Sequence, residues 1–249
     1  MSGKTLLITG GSLGIGAATS LAAAKDGWRV AVNFLKDEAA ADTVVAAIVA
    51  AGGQACAIQA DVSDAAAIKV LFAEAEQRLG PICGLVNNAG VVDEKSRVDG
   101  MNAARIERMF RINSIGPMLC SIEAVKRMST RHGGAGGVIV NLSSAAARIG
   151  SPGEYVDYAA SKAAIDTFTK GLALEVAEEG IRVNAVRPGV IDTDIHASGG
   201  QPDRIGRVSP LVPMKRAGSA EEVAQTIVWL LSDKASYITG SLVDVSGGR

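Results

Sequence analysis

Residues that commonly bind metals or form disulfides are scarce in this chain. Its 249 residues include two histidines and three cysteines, and Cys56, Cys83 and Cys120 stand far apart without metal-ligand spacing. This scarcity argues against a metal site and a disulfide framework, and it is typical of a protein of the reducing cytoplasm. No basic tract offsets the net charge of -1, so nucleic acid is not expected as a partner.

Long hydrophobic runs are absent as well. No apolar stretch reaches the roughly 20 residues that cross a bilayer, and the chain passes almost directly into a strand-like stretch, Lys4–Ile8, without the zones of a signal peptide. We therefore expect a cytoplasmic protein that does not associate with membranes. Aromatic residues make up only 4%, whereas glycine occurs 29 times, a composition that suits close helix–sheet packing and sites lined by backbone.

Short runs rich in valine, isoleucine and leucine alternate with longer, alanine-rich stretches of helical spacing. The short runs predict strands near 4–10, 29–34, 54–60, 82–87, 137–142, 181–186 and 241–245. The longer stretches predict helices at roughly 14–27, 37–51, 64–80, 102–131, 156–179 and 219–232. Because the strands are apolar on both faces, we expect one α/β domain over 1–249, a Rossmann-type, doubly wound parallel sheet of about seven strands with helices on both faces.

The longest irregular stretch, 190–218, is rich in glycine and proline. Its length favours a lid or substrate loop, and an ordinary surface loop is the alternative. Its polar residues point either to a polar substrate or to solvent; they are Asp192, Asp194, His196, Arg204 and Arg207.

A glycine-rich turn follows the first predicted strand and precedes a helix. Unpaired backbone N–H groups and the helix dipole favour an anion there, and glycine lets a diphosphate approach the backbone. The alternative in so glycine-rich a chain is an ordinary tight turn. The predicted cofactor-binding residues of this turn are Gly10, Ser12, Leu13, Gly14, Ile15 and Gly16.

The run Arg29–Val32 of the second predicted strand is followed by the neutral Asn33, at the place where a carboxylate would bind the ribose of NAD. A 2′-phosphate is not repelled there, and Lys36 is close enough in sequence to pair with it, so NADP(H) is favoured over NAD(H). The alternative is that Lys36 is a solvated lysine of the loop and has no contact with the cofactor. Asp61, beside Val62, is expected either to bind the adenine or to cap the next helix. After the fourth strand, Asn88, Ala89 and Gly90 lie where open α/β sheets bind ligands.

Tyr158 is the one tyrosine of three with a lysine, Lys162, four residues later. On a helix both side chains share a face, so the ammonium should lower the pKa of the phenol from about 10 and make it a usable acid or base. Ser144, after the fifth strand, could hold a substrate oxygen, and Asn113 predicts a kink in a long helix. The alternatives are that Tyr158 and Lys162 form a pair on the protein surface, that Ser144 serves only a turn, and that Asn113 is solvated.

Together, these motifs resemble the short-chain dehydrogenase/reductase family over essentially the whole chain, including Arg187-Pro188-Gly189. The resemblance implies an NAD(P)-dependent oxidoreductase that interconverts a small carbonyl and an alcohol. It implies that Tyr158 exchanges the proton, Lys162 binds the nicotinamide ribose, Ser144 orients the substrate oxygen, and Asn113 holds a water in a proton relay. It also implies that four residues lie along the nicotinamide of the cofactor: Pro188, Gly189, Ile191 and Thr193.

The family is commonly tetrameric through helices around 102–131 and 156–179, so a homotetramer or homodimer is expected. The chain is similar to the glucose-dehydrogenase-like and 3-oxoacyl-carrier-protein-reductase-like branches. Two departures stand out: the interval from Ser144 to Tyr158 is one residue longer than usual, which predicts a small bulge within Ile149–Tyr155, and Leu13 replaces a basic residue common in NADP-using relatives. A non-catalytic NADP(H)-binding redox sensor or regulatory protein is the alternative function.

Overall fold

The strands form one parallel sheet in the computed structural model, which describes residues 3–193, 199–201 and 203–249. They are β1 Thr5–Thr9, β2 Arg29–Phe34, β3 Ala55–Gln59, β4 Ile82–Asn87, β5 Gly137–Leu142, β6 Ile181–Pro188 and β7 Leu242–Val245. Their order in the sheet is β3-β2-β1-β4-β5-β6-β7. The chain thus starts mid-sheet and winds outward in both directions, which confirms the predicted doubly wound, Rossmann-type sheet.

Helices cover both faces of this sheet. They are α1 Gly14–Lys25, α2 Glu38–Ala50, α3 Ala65–Leu79, α4 Ala103–Phe110, α5 Gly116–Met128, α6 Ala146–Ile149, α7 Val156–Val176, α8 Arg204–Val208 and α9 Ala220–Leu231. Alternate residues of β1 point to opposite faces: Leu6 and Ile8 pack with α1, α2 and α9, whereas Leu7 packs with α3, α5 and α7. Each fully buried aliphatic side chain contributes about 1.5–3 kcal/mol, so both layers stabilise the sheet.

The helix predicted over 102–131 is interrupted. A π-helical turn, Arg111–Ile115, separates α4 from α5, so the prediction of one continuous helix is wrong and the predicted irregularity at Asn113 is confirmed. Asn113 is fully buried, which excludes a solvated asparagine. The hydroxyl of its neighbour Ser114 donates to the carbonyl of Ser161 on α7 at 2.9 Å. The turn therefore directs polar side chains inward, as π turns near functional sites often do.

The carboxyl ends of all the strands meet at one edge of the sheet, where the loops can form a site. β1 pairs with β2 on one side and with β4 on the other, so the strand order reverses at β1. Sheets of this kind usually bind ligands in the crevice beyond the carboxyl ends of the strands at such a reversal. Of the irregular stretch 190–218, residues 194–198 and 202 lie outside the described residues, including Asp194 and His196. Within the described ranges, no helix combines the length and apolar character needed to cross a membrane.

Candidate active site

A cavity of about 670 Å³ opens at the carboxyl edge of the sheet. Its volume falls within the range of small-molecule and cofactor sites. Most of the site residues expected from the sequence line it: Gly10, Ser12, Leu13, Gly14, Ile15, Asn33, Lys36, Asp61, Val62, Asn88, Ala89, Gly90, Ser144, Tyr158, Lys162, Pro188, Gly189, Ile191 and Thr193. Gly16 and Asn113 do not line it.

The glycine loop presents an uncapped helix end to this cavity. Leu13 precedes α1 without a side-chain cap, and the first turn of α1 has no acidic residue. Gly10 and Gly14 adopt φ values of +59° and +50°, which favour glycine. Gly16 has a packing role instead of the expected cofactor contact, because a Cβ there would lie 2.0 Å from the carbonyl oxygen of Gly10. The free N–H groups at the start of α1 make this end of the cavity suitable for an anion.

β2 runs through Asn33 to Phe34, the bounds predicted for the second strand. The buried Asn33 amide is engaged in hydrogen bonds. Its Oδ1 accepts from the Gly10 N–H at 3.2 Å, and its Nδ2 donates to the carbonyls of Ile58 and Ala60 at 3.3 and 3.1 Å. Asn33 therefore ties the glycine loop to β3.

The charged residues that follow β2 and β3 either lie at the rim of the cavity or accept hydrogen bonds from nearby backbone N–H groups. Lys36 is exposed at the rim of the cavity. Its neighbour Asp37 caps α2 by accepting from the Ala40 N–H at 2.9 Å. Asp61 accepts from the Ser63 N–H at 2.8 Å, and the cap of α3 is Asp64. This excludes Asp61 as the helix cap and leaves its carboxylate beside the cavity.

The two asparagines that end β4 and follow it have different roles. Asn88 Nδ2 donates to the carbonyls of Thr9 and Gly10 at 3.1 and 2.8 Å, so it holds the glycine loop from the side opposite Asn33. Asn87 Nδ2 points into the sheet and donates to Asn141 Oδ1 at 2.8 Å. Sequence reasoning missed Asn141, although a polar residue within the apolar run of β5 is a usable signal.

Tyr158 and Lys162 share a face of α7, beside Ser144. The Ser144 Oγ accepts from the Ala146 N–H at 3.1 Å, and Ser144 and Tyr158 both line the cavity. Lys162 is buried; its Nζ lies 5.8 Å from the Tyr158 ring centroid and donates to the Leu142 carbonyl at 2.7 Å. One ammonium N–H is thus bound by backbone, which leaves the other N–H groups for a ligand.

The prediction that Lys162 lowers the pKa of Tyr158 is wrong, because the pKa of Tyr158 is raised in the structure. Burial raises the pKa of Tyr158, and this effect outweighs the lowering effects of the Ser144 hydroxyl and of the charge of Arg204. Burial also lowers the pKa of Lys162 to about 8, although Asp166 opposes this. The physical reason is that both groups are desolvated, which disfavours each charged form. The phenol is therefore protonated at neutral pH.

The loop between Ser144 and Tyr158 contains the irregularity predicted from its length. After the short helix α6, Gly150, Ser151 and Gly153 have φ values of +75°, +44° and +72°. Ser151 is one of two non-glycine residues with positive φ in the described chain. The turn 150–153, inside the predicted range, accommodates the long interval.

Asn113 lies outside the cavity lining and holds two neighbouring elements of the site together. Its Oδ1 accepts from the Val91 N–H at 2.8 Å, and its Nδ2 donates to the Val91 carbonyl at 2.9 Å and lies 3.3 Å from Ser161 Oγ. Both ends of the amide are therefore engaged in tying the loop after β4 to α7. A role in holding water would fall to the main-chain carbonyl in the π turn.

An ion pair fixes the end of β6 to α7. Arg187 donates through Nη2 and Nε to Asp166 Oδ2 at 2.7 and 3.0 Å. Pro188 and Gly189 follow in the cavity wall, and a Cβ at Gly189 would lie 2.7 Å from the backbone of Ser246. This wall is held against the helix that carries Tyr158.

The buried ammonium of Lys162 predicts a pH-dependent stability difference. Its pKa is about 8 in the folded chain, against 10.5 for an ordinary lysine, so between these values the unfolded chain binds more protons. The free energy of unfolding of wild type should therefore rise relative to Lys162→Met across this window, by about 3 kcal/mol at about 1.4 kcal/mol per pH unit. Denaturant titrations from pH 7 to 10.5 measure it. A difference that stays constant over this range would contradict the buried charge.

Comparison with known proteins decides the family. A family profile described as Enoyl-(Acyl carrier protein) reductase matches residues 10–249. The chain belongs to the short-chain dehydrogenase/reductase family of oxidoreductases. It is 56% identical over 243 residues to an uncharacterized oxidoreductase, YgfF, of Escherichia coli (strain K12), covering 98% of each chain. It is 38% identical over 250 residues to a 3-oxoacyl-[acyl-carrier-protein] reductase of Synechocystis sp. (strain ATCC 27184 / PCC 6803 / Kazusa), covering 100% of this chain and 97% of that one.

Solved structures of short-chain dehydrogenases/reductases show the same fold. One from Serratia marcescens BCRC 10948 superposes with a TM-score of 0.91 at 33% identity, covering 99% of this chain and 98% of that one. A blue fluorescent protein from a metagenomic library, solved in complex with NADPH, superposes with a TM-score of 0.91 at 32% identity and the same coverage. These likenesses confirm the predicted family and its 3-oxoacyl-carrier-protein-reductase-like branch.

Proposed function

We propose that the protein transfers a hydride between NADP(H) and a carbonyl or alcohol substrate, with Tyr158 as the general acid or base. The observation that carries this proposal is the convergence of Tyr158, Ser144 and Lys162 on the cavity that also holds the glycine loop. The uncapped start of α1 and the cradle at Gly10 and Gly14 fit the diphosphate of a dinucleotide. The nicotinamide supplies or accepts the hydride when bound.

The proton chemistry is assigned to the residues of α7 and β5. In carbonyl reduction the Tyr158 phenol donates its proton to the substrate oxygen, and in alcohol oxidation the phenolate accepts it. The Ser144 hydroxyl donates a second hydrogen bond to that oxygen and holds it beside the phenol. Lys162 keeps N–H groups free for the ribose hydroxyls while the Leu142 carbonyl fixes its position.

NADP(H) is the proposed cofactor because the rim near the end of β2 offers a lysine. Lys36 is exposed beside the cavity, and the nearby Asp37 carboxylate is engaged in capping α2. A 2′-phosphate at this rim would meet the ammonium of Lys36. The neighbour solved with NADPH supports this choice.

Replacing Lys36 with alanine should weaken NADPH binding about 10-fold and change NADH binding little, because only the 2′-phosphate loses its partner. Fluorescence titration with both dinucleotides measures this. Lys69→Ala, an exposed lysine of α3 outside the cavity lining, is the matched control and should bind both as wild type does. Equal losses for NADPH and NADH would contradict the proposed phosphate contact.

Label transfer tests the function. With NADPH deuterated at C4 of the nicotinamide, we expect deuterium on the new carbinol carbon of at least one member of a panel of ketones, sugars and acyl-thioester ketones. Tight NADPH binding without label transfer to any of them would instead favour the redox sensor or regulatory protein, which needs the glycine loop but not Tyr158.

We further propose a homotetramer or homodimer, with one domain spanning the chain and a substrate loop within 190–218. Exposed apolar side chains on the helices of the expected interface support an oligomer: Ile106, Ile122 and Leu174 are 40%, 49% and 82% exposed. Free cysteines are consistent with the cytoplasm, which stays a prediction.

A further inference from the structure

The short helix α8 places an arginine in the cavity, close to the proposed acid. Arg204 lines the cavity together with Tyr155 and Tyr158, and its side chain is 11% exposed. Its guanidinium carbon lies 5.1 Å from the Tyr155 ring centroid. Its charge acts to lower the pKa of Tyr158, which lines the same cavity. Burying a cation costs desolvation free energy unless an opposite charge and hydrogen bonds offset it.

Glu154 compensates that charge only in part. Arg204 Nη1 donates to Glu154 Oε2 at 2.6 Å. The other oxygen, Oε1, faces Arg207 at 3.4 Å and Lys95 at 3.9 Å. One carboxylate therefore serves three cations, and its own pKa is lowered, because the Arg204 and Arg207 contacts outweigh the opposing effect of burial. This cluster carries an excess of positive charge.

Among the described residues, Glu154 is the one acid paired with the cations of this cluster. The acidic residues that line the cavity are, among the described residues, Asp37 and Asp61. Both follow β2 or β3, on the other side of β1 from β5 and Ser144, at the end proposed for the adenosine. The cavity wall also includes apolar side chains, among them Val91, Ile149 and Val190. A neutral substrate would add no negative charge to offset the excess positive charge of this cluster.

Arg204 also has unused donors. Within the described ranges its Nε and Nη2 have no hydrogen-bond partner, since Glu154 takes Nη1 alone. These two nitrogens form one edge of the planar guanidinium, which matches the two oxygens of a carboxylate. Glu154 thus orients the group and leaves its bidentate edge available.

We infer that the substrate is an oxo acid, or the matching hydroxy acid, whose carboxylate binds the Nε–Nη2 edge of Arg204 while its carbonyl meets Tyr158 and Ser144. This inference rests on the proposed function. Because Arg204 and Tyr158 line the same cavity of about 670 Å³, the oxo group and the carboxylate are expected to belong to one small molecule. The apolar wall contacts the carbon chain between them.

Matched substrates test the inference. We expect wild type to prefer 3-oxobutanoate and 4-oxopentanoate over their methyl esters by at least about 10-fold in kcat/KM. Arg204→Gln should lower kcat/KM for the acids by about 10- to 100-fold and for the esters by less than about threefold, and Arg204→Lys should restore part of the loss for the acids.

Arg207→Gln is the matched control, since Arg207 contacts the same Glu154 but is half exposed and does not line the cavity. It should leave kcat/KM for both substrates within about threefold of wild type. Equal rates for acids and esters in wild type, or equal losses for both in Arg204→Gln, would overturn the inference and leave the proposed function intact. Deuterium transfer to no carbonyl compound would overturn the proposed function and the inference with it.

Binding gives a second readout that does not depend on turnover. Butanoate and butanamide, titrated into the NADPH complex and followed by nicotinamide fluorescence, should differ by at least about 10-fold in Kd in favour of butanoate. Arg204→Gln should remove that difference, whereas Arg207→Gln should keep it. No difference between the two ligands in wild type would contradict carboxylate recognition.

Discussion

Tyr158→Phe is expected to lower kcat for carbonyl reduction by about 10³-fold while leaving the Kd for NADPH within about threefold. A positioned general acid contributes roughly 10²- to 10⁴-fold, and phenylalanine keeps the ring but has no proton to give. The ring would still pack 5.8 Å from the Lys162 ammonium, so the cofactor side of the cavity should be unchanged. Steady-state kinetics and NADPH fluorescence titration separate the two effects.

Tyr237→Phe is the control, because Tyr237 is fully exposed and does not line the cavity. It should keep wild-type kcat and Kd. A Tyr158→Phe enzyme as fast as wild type would show that another group delivers the proton. A parallel loss of NADPH binding would mean that the substitution damages the cavity, and the loss of rate would not then identify an acid.

The second large effect is expected at Gly16. In Gly16→Ala the new Cβ would lie 2.0 Å from the Gly10 carbonyl oxygen and 2.6 Å from Asn88 Nδ2. These atoms are themselves hydrogen bonded at 2.8 Å, so neither can move without breaking that contact. We expect a loss of about 3 kcal/mol or more in the free energy of unfolding, at the upper end of overpacking effects. NADPH binding should weaken by at least about 10-fold, because the start of α1 must shift away from the loop.

Denaturant unfolding and NADPH titration of the remaining folded protein measure these losses. Gly206→Ala is the control: among the described residues, no atom beyond its chain neighbours and the backbone of its own helix lies within 4 Å of its Cβ position, and alanine favours the helix. Its stability should equal or exceed that of wild type. Wild-type stability of Gly16→Ala would show that the loop and α1 are more separable than their contact distances imply.

The sequence predicted the sheet well because its signal is local. β4 and β5 occupy the predicted ranges, 82–87 and 137–142, since their apolar runs are bounded by residues that end strands. β6 runs past its predicted end to Pro188, because that residue still pairs with Val245 of β7. Such an extension depends on a partner strand that is distant in sequence.

The candidate site was predictable where spacing carries the chemistry and not where packing does. Tyr158 and Lys162 are recognisable from their i, i+4 spacing, but their pKa directions depend on burial by other elements. The sequence shows Asn33 only as a neutral residue near a strand end, whereas its amide is hydrogen bonded to the glycine loop and to β3. Arg204 lies in an irregular stretch without periodicity, so no sequence pattern places it in the cavity.

The contacts of the glycine loop have a thermodynamic consequence. Asn33 and Asn88 hold Gly10 from two sides, and the Gly11 N–H donates to the Asn33 carbonyl at 2.8 Å. The loop thus loses its conformational entropy when the chain folds and not when a dinucleotide arrives. A preorganised loop has little ordering left to oppose binding, so the free energy of its contacts with the diphosphate goes largely into affinity.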